Sequence, residues 1–152
     1  MAVNMKKRLK KEYEEFVKNT PKGMSLDKDT MKDVIDIWQV HVDGAEGTLY
    51  AKEKFVLKFV FDEKYPFESP QVTFVPPYVP VHPHVYSNGH ICLSILGSDW
   101  TPAMNVMSVC LSIQSMLSSA KKKVKPPGDE TYSARGQFNP KLTSWGFHDD
   151  TC

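Results

Sequence analysis

Two alternating apolar runs, separated by a stretch too short to hold a crossover, constrain this chain more than any other feature. Trp38, Val40 and Val42 alternate with Gln39, His41 and Asp43, and Phe55, Leu57, Phe59 and Phe61 alternate with Val56, Lys58 and Val60. Successive side chains on a strand point to opposite faces, so each run reads as a strand with an apolar inner face. Between them Gly44-Ala45-Glu46-Gly47 turns the chain, and residues 48–50 read as a further short strand. A second turn, Tyr65-Pro66-Phe67-Glu68-Ser69-Pro70, leads to a fourth strand over residues 71–75. Connections this tight predict an antiparallel meander, because parallel pairing would need long crossovers.

Helical periodicity brackets the sheet. Met5, Leu9, Tyr13, Phe16 and Val17 fall close to a 3.6-residue period within residues 2–18, which predicts an amphipathic helix ending before Asn19-Thr20-Pro21. Val106, Val109, Cys110, Ile113 and Leu117 form a second stripe, opening after Pro102 and ending near Lys121-Lys122-Lys123, where lysines suit a helix C-terminus. Between these patterns Pro76, Pro77, Pro80 and Pro83 exclude a helix, and a long loop in a compact domain is commonly functional. Beyond Lys125 the period is broken by Pro126-Pro127-Gly128, Gly136, Asn139-Pro140 and Gly146. That tail reads as too broken for a long helix, yet Tyr132, Phe138, Trp145 and Phe147 make it too aromatic for a plain solvated one. The expected class is α+β, with a core domain over residues 1–125 and a tail over residues 126–152, flexible or partly packed on the core.

Bulk properties exclude several function classes. A chain of 152 residues can bury one sizeable core without staples, and a net charge of +1 carries no global field for nucleic acid. No run of about 18 apolar residues occurs and the N-terminus is basic without a following apolar stretch, so neither a membrane span nor a signal peptide is expected. The expected location is cytoplasmic and/or nuclear. Cys92, Cys110 and Cys152 show no CxxC spacing, and in a reducing compartment free thiols are expected, with no metal. Cys110 sits on the second helical stripe and reads as core, and Cys152 as an inert terminal residue. Cys92 alone lies in a loop of proline, glycine and asparagine, where it reads either as a small buried hydrophobe or as an activated thiol.

That loop runs His82-Pro83-His84-Val85-Tyr86-Ser87-Asn88-Gly89-His90-Ile91-Cys92-Leu93. It resembles the active-site segment of the ubiquitin-conjugating (E2) family, whose His-Pro-Asn tripeptide and Asn-Gly-x-Ile-Cys-Leu motif fall at this spacing. The family's Tyr-Pro-Phe-x-x-Pro turn matches residues 65–70, and Trp100-Thr101-Pro102-Ala103 matches its Trp-Ser-Pro-Ala. The resemblance implies the UBC fold and a Cys92 that accepts ubiquitin from an E1 enzyme as a thioester and passes it to an amine. Cysteine suits this because its thiolate is both a nucleophile and a leaving group. It also implies that His84 replaces the family asparagine, with an oxyanion-stabilising or a loop-pinning role, and that His82, Pro83, Asn88 and Ser94 belong to the active-site loop. Phe67, Pro102, Ala103, Lys7 and Arg8 would meet a RING or U-box E3 ligase, and Lys6 and Lys10 the E1. No cofactor is expected, since the E1 consumes the ATP. Ubiquitin and protein substrates are the remaining partners, without nucleic acid or membrane, and weak self-association is left open.

Two departures bear on the acceptor. The aspartate that many members carry two residues after the cysteine is Ser94, and the segment that often carries an acid reads Ala120-Lys121-Lys122-Lys123-Val124-Lys125, with Asp129 and Glu130 further on. Lysine has a pKa near 10.4 and an α-amino group near 7.7–8.0, so neutralising lysine at pH 7 costs about 3 kcal/mol more. An enzyme short of acids should favour the amine that is already partly neutral. In His-Pro-His, in Cys-Leu-Ser-Ile-Leu and in the tail ending Trp145-Gly146-Phe147-His148-Asp149-Asp150-Thr151-Cys152, the chain is similar to the W-type branch, which implies transfer to flexible substrate N-termini, with Trp145 and Phe147 as candidate substrate contacts. The competing readings are a general lysine-directed E2, an E2 for a ubiquitin-like modifier, a ubiquitin-binding scaffold and a cysteine hydrolase.

Overall fold

The computed structural model describes residues 2–31, 35–135 and 139–142. A long helix, α1 (Ala2–Lys18), precedes a four-stranded antiparallel sheet of β1 (Met24–Leu26), β2 (Ile37–Asp43), β3 (Lys54–Val60) and β4 (Gln71–Phe74), ordered β1-β2-β3-β4. The registers run Met24 opposite Val42, Val40 opposite Leu57, and Leu57 opposite Phe74. This is the expected α+β meander with one strand exchanged. Residues 48–50 are a turn, because the Thr48 hydroxyl donates to the Ala45 carbonyl at 2.7 Å and accepts the Tyr50 amide, a side-chain turn that competes with strand pairing. The missing strand is β1, three residues following Pro21-Lys22-Gly23 and too short to display alternation.

α2 (Val106–Ser118) opens on a capping box: the Asn105 side chain accepts from the Ser108 amide while the Ser108 hydroxyl accepts from the Asn105 amide. Its buried residues are Val106, Val109, Cys110, Ile113 and Leu117, the stripe expected from the sequence. They join Met5, Leu9 and Phe16 of α1 and Trp38, Val40, Leu57, Phe59 and Phe74 of the sheet in one core. Burial drives the Cys110 thiol far above its ordinary pKa, consistent with a core role.

In the tail, where no long helix was expected, one short helix forms. Residues Asp129–Arg135 form a short helix, α3, with Asp129 and Glu130 in its first turn, where carboxylates complement the exposed amides. A 3-10 turn follows at Pro140–Leu142. Tyr132 lies against Tyr86 with ring centroids 4.0 Å apart and planes tilted by 34°, so α3 packs on the loop that carries Cys92.

Candidate active site

The loop holding Cys92 is laid along β4 by backbone bonds rather than by regular pairing. Thr73 bridges His90, the Phe74 amide donates to the Gly89 carbonyl at 2.9 Å, and Val85 bridges Ile91. Gly89 has no substitute here: its φ is +94°, and a Cβ would lie 2.0 Å from the Phe74 carbonyl oxygen. The Asn88 side chain accepts the His90 amide at 3.1 Å, closing the turn, and Gly89 donates to the Tyr86 carbonyl at 2.9 Å. The Asn-Gly pair therefore reverses the chain between His84 and Cys92.

The tripeptide reaches the cysteine through the main chain. The Cys92 amide donates to the His84 carbonyl at 2.8 Å, and the His84 amide donates to His82 Nδ1 at 2.9 Å. A ring nitrogen that accepts from an amide carries no proton, so His82 is the Nε2-protonated tautomer, with Nε2 set 3.3 Å from the Met116 carbonyl. Burial first, and the neighbouring His84 second, lower its pKa to about 4 against the opposing pull of Met116. His82 is thus a neutral strut between the loop and α2. His90 is likewise engaged, its Nδ1 lying 2.6 Å from the Tyr132 hydroxyl, and burial lowers its pKa. With both rings committed to structure, neither supplies the general base a hydrolase would need. His84 is half-buried, its ring 5.5 Å from that of His82.

Cys92 is 3% exposed and disulfide-bonded in this structure, which corrects the expectation of a free thiol at this position. A nucleophilic role for Cys92 requires the reduced thiol, which attack of an external thiolate on the disulfide would release by exchange. Ser94 opens a 3-10 turn, Ser94–Leu96, and its carbonyl accepts the Gly97 and Asp99 amides at 3.0 Å each.

The loop is braced from the side by α3, a contact the sequence did not reveal. Asp129 takes the Ser87 amide at 2.7 Å and the Ser87 hydroxyl in a short bond, and accepts from the Ser133 hydroxyl at 3.3 Å. Burial pushes its pKa up, but these bonds and the field of Lys125 outweigh it and hold the carboxyl below its usual range. Asp129 is therefore a bound anion rather than a base, and Glu130 is exposed. Next to His82, Pro83 and His84 lies a groove of about 750 Å³, walled by Met116, Lys121, Lys122, Val124 and Lys125, with no carboxylate among the described residues lining it. Lys123 leaves this set to pair with Glu53 at 2.6 Å.

A second surface forms where the turn at residues 65–70 meets the loop after Cys92. Phe67 is 79% exposed at its tip. Trp100 Nε1 donates to the Pro66 carbonyl at 2.8 Å, the Ser69 hydroxyl to the Leu96 carbonyl at 2.8 Å, and Lys141 Nζ to the Ser69 carbonyl at 2.7 Å. Pro102 and Ala103 are exposed beside it, as are Lys6, Lys7 and Lys10 on α1. Arg8 supports this surface from below: its guanidinium donates to the Pro102 and Met104 carbonyls at 3.1 and 3.0 Å. Beneath that lies Glu12, buried on the apolar side of α1. It accepts from Arg8 Nε at 2.9 Å, from the Tyr65 hydroxyl at 2.6 Å and from the Val106 amide at 2.8 Å. Glu12 was not anticipated, although a carboxylate set between Leu9 and Phe16 on the apolar stripe was the available signal. Trp145 and Phe147 lie outside the described residues.

Residues 8–139 match the family model described as ubiquitin-conjugating enzyme. A protein named probable ubiquitin-conjugating enzyme E2 W-A from Danio rerio is 54% identical over 149 residues, covering 98% of this chain and 99% of its own. Ubiquitin-conjugating enzyme E2 W from Caenorhabditis elegans is 52% identical over 145 residues, covering 95% of each chain. Among solved structures, a ubiquitin-conjugating E2 from Agrocybe aegerita superposes with a TM-score of 0.82 at 42% identity, covering 89% of this chain and 96% of that one.

Proposed function

Starting from the fact that this chain belongs to the ubiquitin-conjugating enzyme family, we propose that it carries ubiquitin on Cys92 and transfers it by preference to the α-amino group of flexible substrate N-termini. In the first step the reduced Cys92 thiolate attacks the E1-bound ubiquitin thioester carbonyl, and the E1 cysteine leaves as thiolate. In the second the neutral substrate amine attacks the Cys92 thioester, the Cys92 thiolate leaves, and the amine proton passes to solvent. E1 charges the enzyme through the exposed lysines of α1, Lys6 and Lys10. A RING or U-box E3 docks on Phe67, Pro102 and Ala103, with Lys7 beside them and Arg8 holding the loop. His84 is the candidate donor to the oxyanion, since an imidazole N–H fills that role as well as an amide does. The pathway's ATP is spent at the E1, so no bound cofactor enters.

The observation that carries the amine preference is the groove beside the active-site loop. Lys121, Lys122 and Lys125 wall it without a carboxylate among the described residues, and Asp129 is consumed by Ser87. Like charges oppose an incoming ammonium, and among the described residues lining the groove no carboxylate is present to take its proton. An α-amine, already partly neutral at pH 7.5, bypasses that obstacle, whereas lysine faces about 3 kcal/mol of additional deprotonation cost. The test is mass spectrometry of the linkage on a lysine-containing protein with a flexible N-terminus, after reaction with E1, ATP and ubiquitin. Ubiquitin should appear on the N-terminal residue and vanish when that terminus is acetylated. Modification confined to lysines, unchanged by acetylation, would refute the proposal.

A further inference from the structure

The same groove also points to which N-termini are preferred: we propose that Lys121, Lys122 and Lys125 bind acidic residues of the substrate segment that follows the reacting amine. This rests on the α-amine reading above. The groove's volume of about 750 Å³ falls within the range of sites that enclose short ligands, and it borders the active-site loop at His84, whose carbonyl holds the Cys92 amide at 2.8 Å. A peptide whose first nitrogen reaches the Cys92 thioester must lead its next residues away from that point. An extended chain advances about 3.3 Å per residue, so the third to sixth side chains fall about 7–17 Å from the reacting nitrogen.

The charge lining the groove is one-sided. The whole chain carries a formal net charge of +1, so this basic cluster is a local feature and not the overspill of a cationic protein. Among the described residues neither Lys121 nor Lys122 has an ion-pair partner, whereas Lys123 is neutralised by Glu53. Asp129 bonds Ser87 and sits in the field of Lys125. Met116 and Val124 give the groove apolar wall, so a segment combining acidic and aliphatic side chains complements it.

The test is single-turnover discharge of preformed Cys92–ubiquitin thioester to peptides with identical first two residues and either Asp/Glu or Lys/Arg at positions three to six. Placing the charges there keeps them away from the amine's own pKa, and starting from the thioester removes E1 charging from the rate. The acidic peptide should react about fivefold faster at low salt, with the ratio falling towards one as ionic strength rises. In the Lys121→Glu/Lys122→Glu variant, checked for unchanged thermal unfolding, the order of the two peptides should reverse. Equal rates in the wild type, or a preference that survives both salt and charge reversal, would overturn the inference while leaving α-amine transfer intact. Failure of every α-amine peptide while free lysine discharges would instead refute the function on which it rests.

Discussion

Replacing Glu12 with alanine should unlock the surface around Phe67 and Pro102 from the core, and the structure sets the size of the effect. One buried carboxylate accepts from Arg8 Nε at 2.9 Å, from the Tyr65 hydroxyl at 2.6 Å and from the Val106 amide at the start of α2 at 2.8 Å. Alanine leaves the Tyr65 and Val106 donors unsatisfied, at about 1–3 kcal/mol each, and strips the partly buried Arg8 of its ion pair. Truncating one partner of a buried pair costs about 3–5 kcal/mol, and we expect a loss in that range. For a chain of this size that lowers the unfolding midpoint by roughly 6–20 °C. Glu12→Gln keeps one acceptor oxygen and should lose about 1–2 kcal/mol. Because Arg8 also bonds the Pro102 and Met104 carbonyls, E3-stimulated discharge should fall more than E1 charging in both variants. Urea unfolding of the two variants and the wild type checks this. A Glu12→Ala loss below about 1 kcal/mol would refute the reasoning, since it would mean that water or rearranged partners satisfy these donors.

Three other outcomes follow from the loop. His82 is held neutral with its pKa lowered to about 4, so the unfolded chain binds the extra proton first; its contribution is fully present above about pH 6.5 and is lost as pH falls towards 4, about 3 kcal/mol in all. Urea midpoints across that window should fall, and His82→Gln should flatten the slope. Gly89→Ala meets both a φ of +94° and the Phe74 carbonyl, so it should lose about 2–4 kcal/mol in thermal unfolding and slow charging; an unchanged melting curve would contradict the loop geometry. The bond from the Cys92 amide uses the His84 backbone, so His84→Ala should leave charging in place while slowing transfer about 10- to 1,000-fold, and His84→Asn should restore it. Equal transfer by His84→Ala would assign the ring to loop support alone.

The elements legible in the sequence are those whose pattern is local. The α2 stripe named its buried residues correctly because each falls on one face of a single helix. β1 was missed since three residues cannot show a period, and residues 48–50 misled because Thr and Tyr favour strands while the Thr48 hydroxyl closes a turn. The motif residues around Cys92 were visible, but what holds them was not. Ser87 to Asp129 spans a separation of 42 residues and Glu12 to Val106 one of 94, and no local pattern encodes such contacts. α3 escaped notice for the same reason: between Pro127-Gly128 and Gly136 it has seven residues, and its position depends on Asp129 and Tyr132 meeting the active-site loop.

The central claim is that Cys92 serves amines that arrive neutral, and its most direct test is a competition. Preformed Cys92–ubiquitin thioester is offered, at pH 7.5 and equal concentration, a flexible peptide with a free N-terminus and no lysine, and the same peptide acetylated at its N-terminus and carrying one lysine. At pH 7.5 the neutral fractions of the two amines differ by about two to three orders of magnitude. Discharge to the α-amine should therefore dominate by at least tenfold, and its rate should rise with pH and level off near pH 8. Comparable discharge to lysine at pH 7.5 would contradict the account.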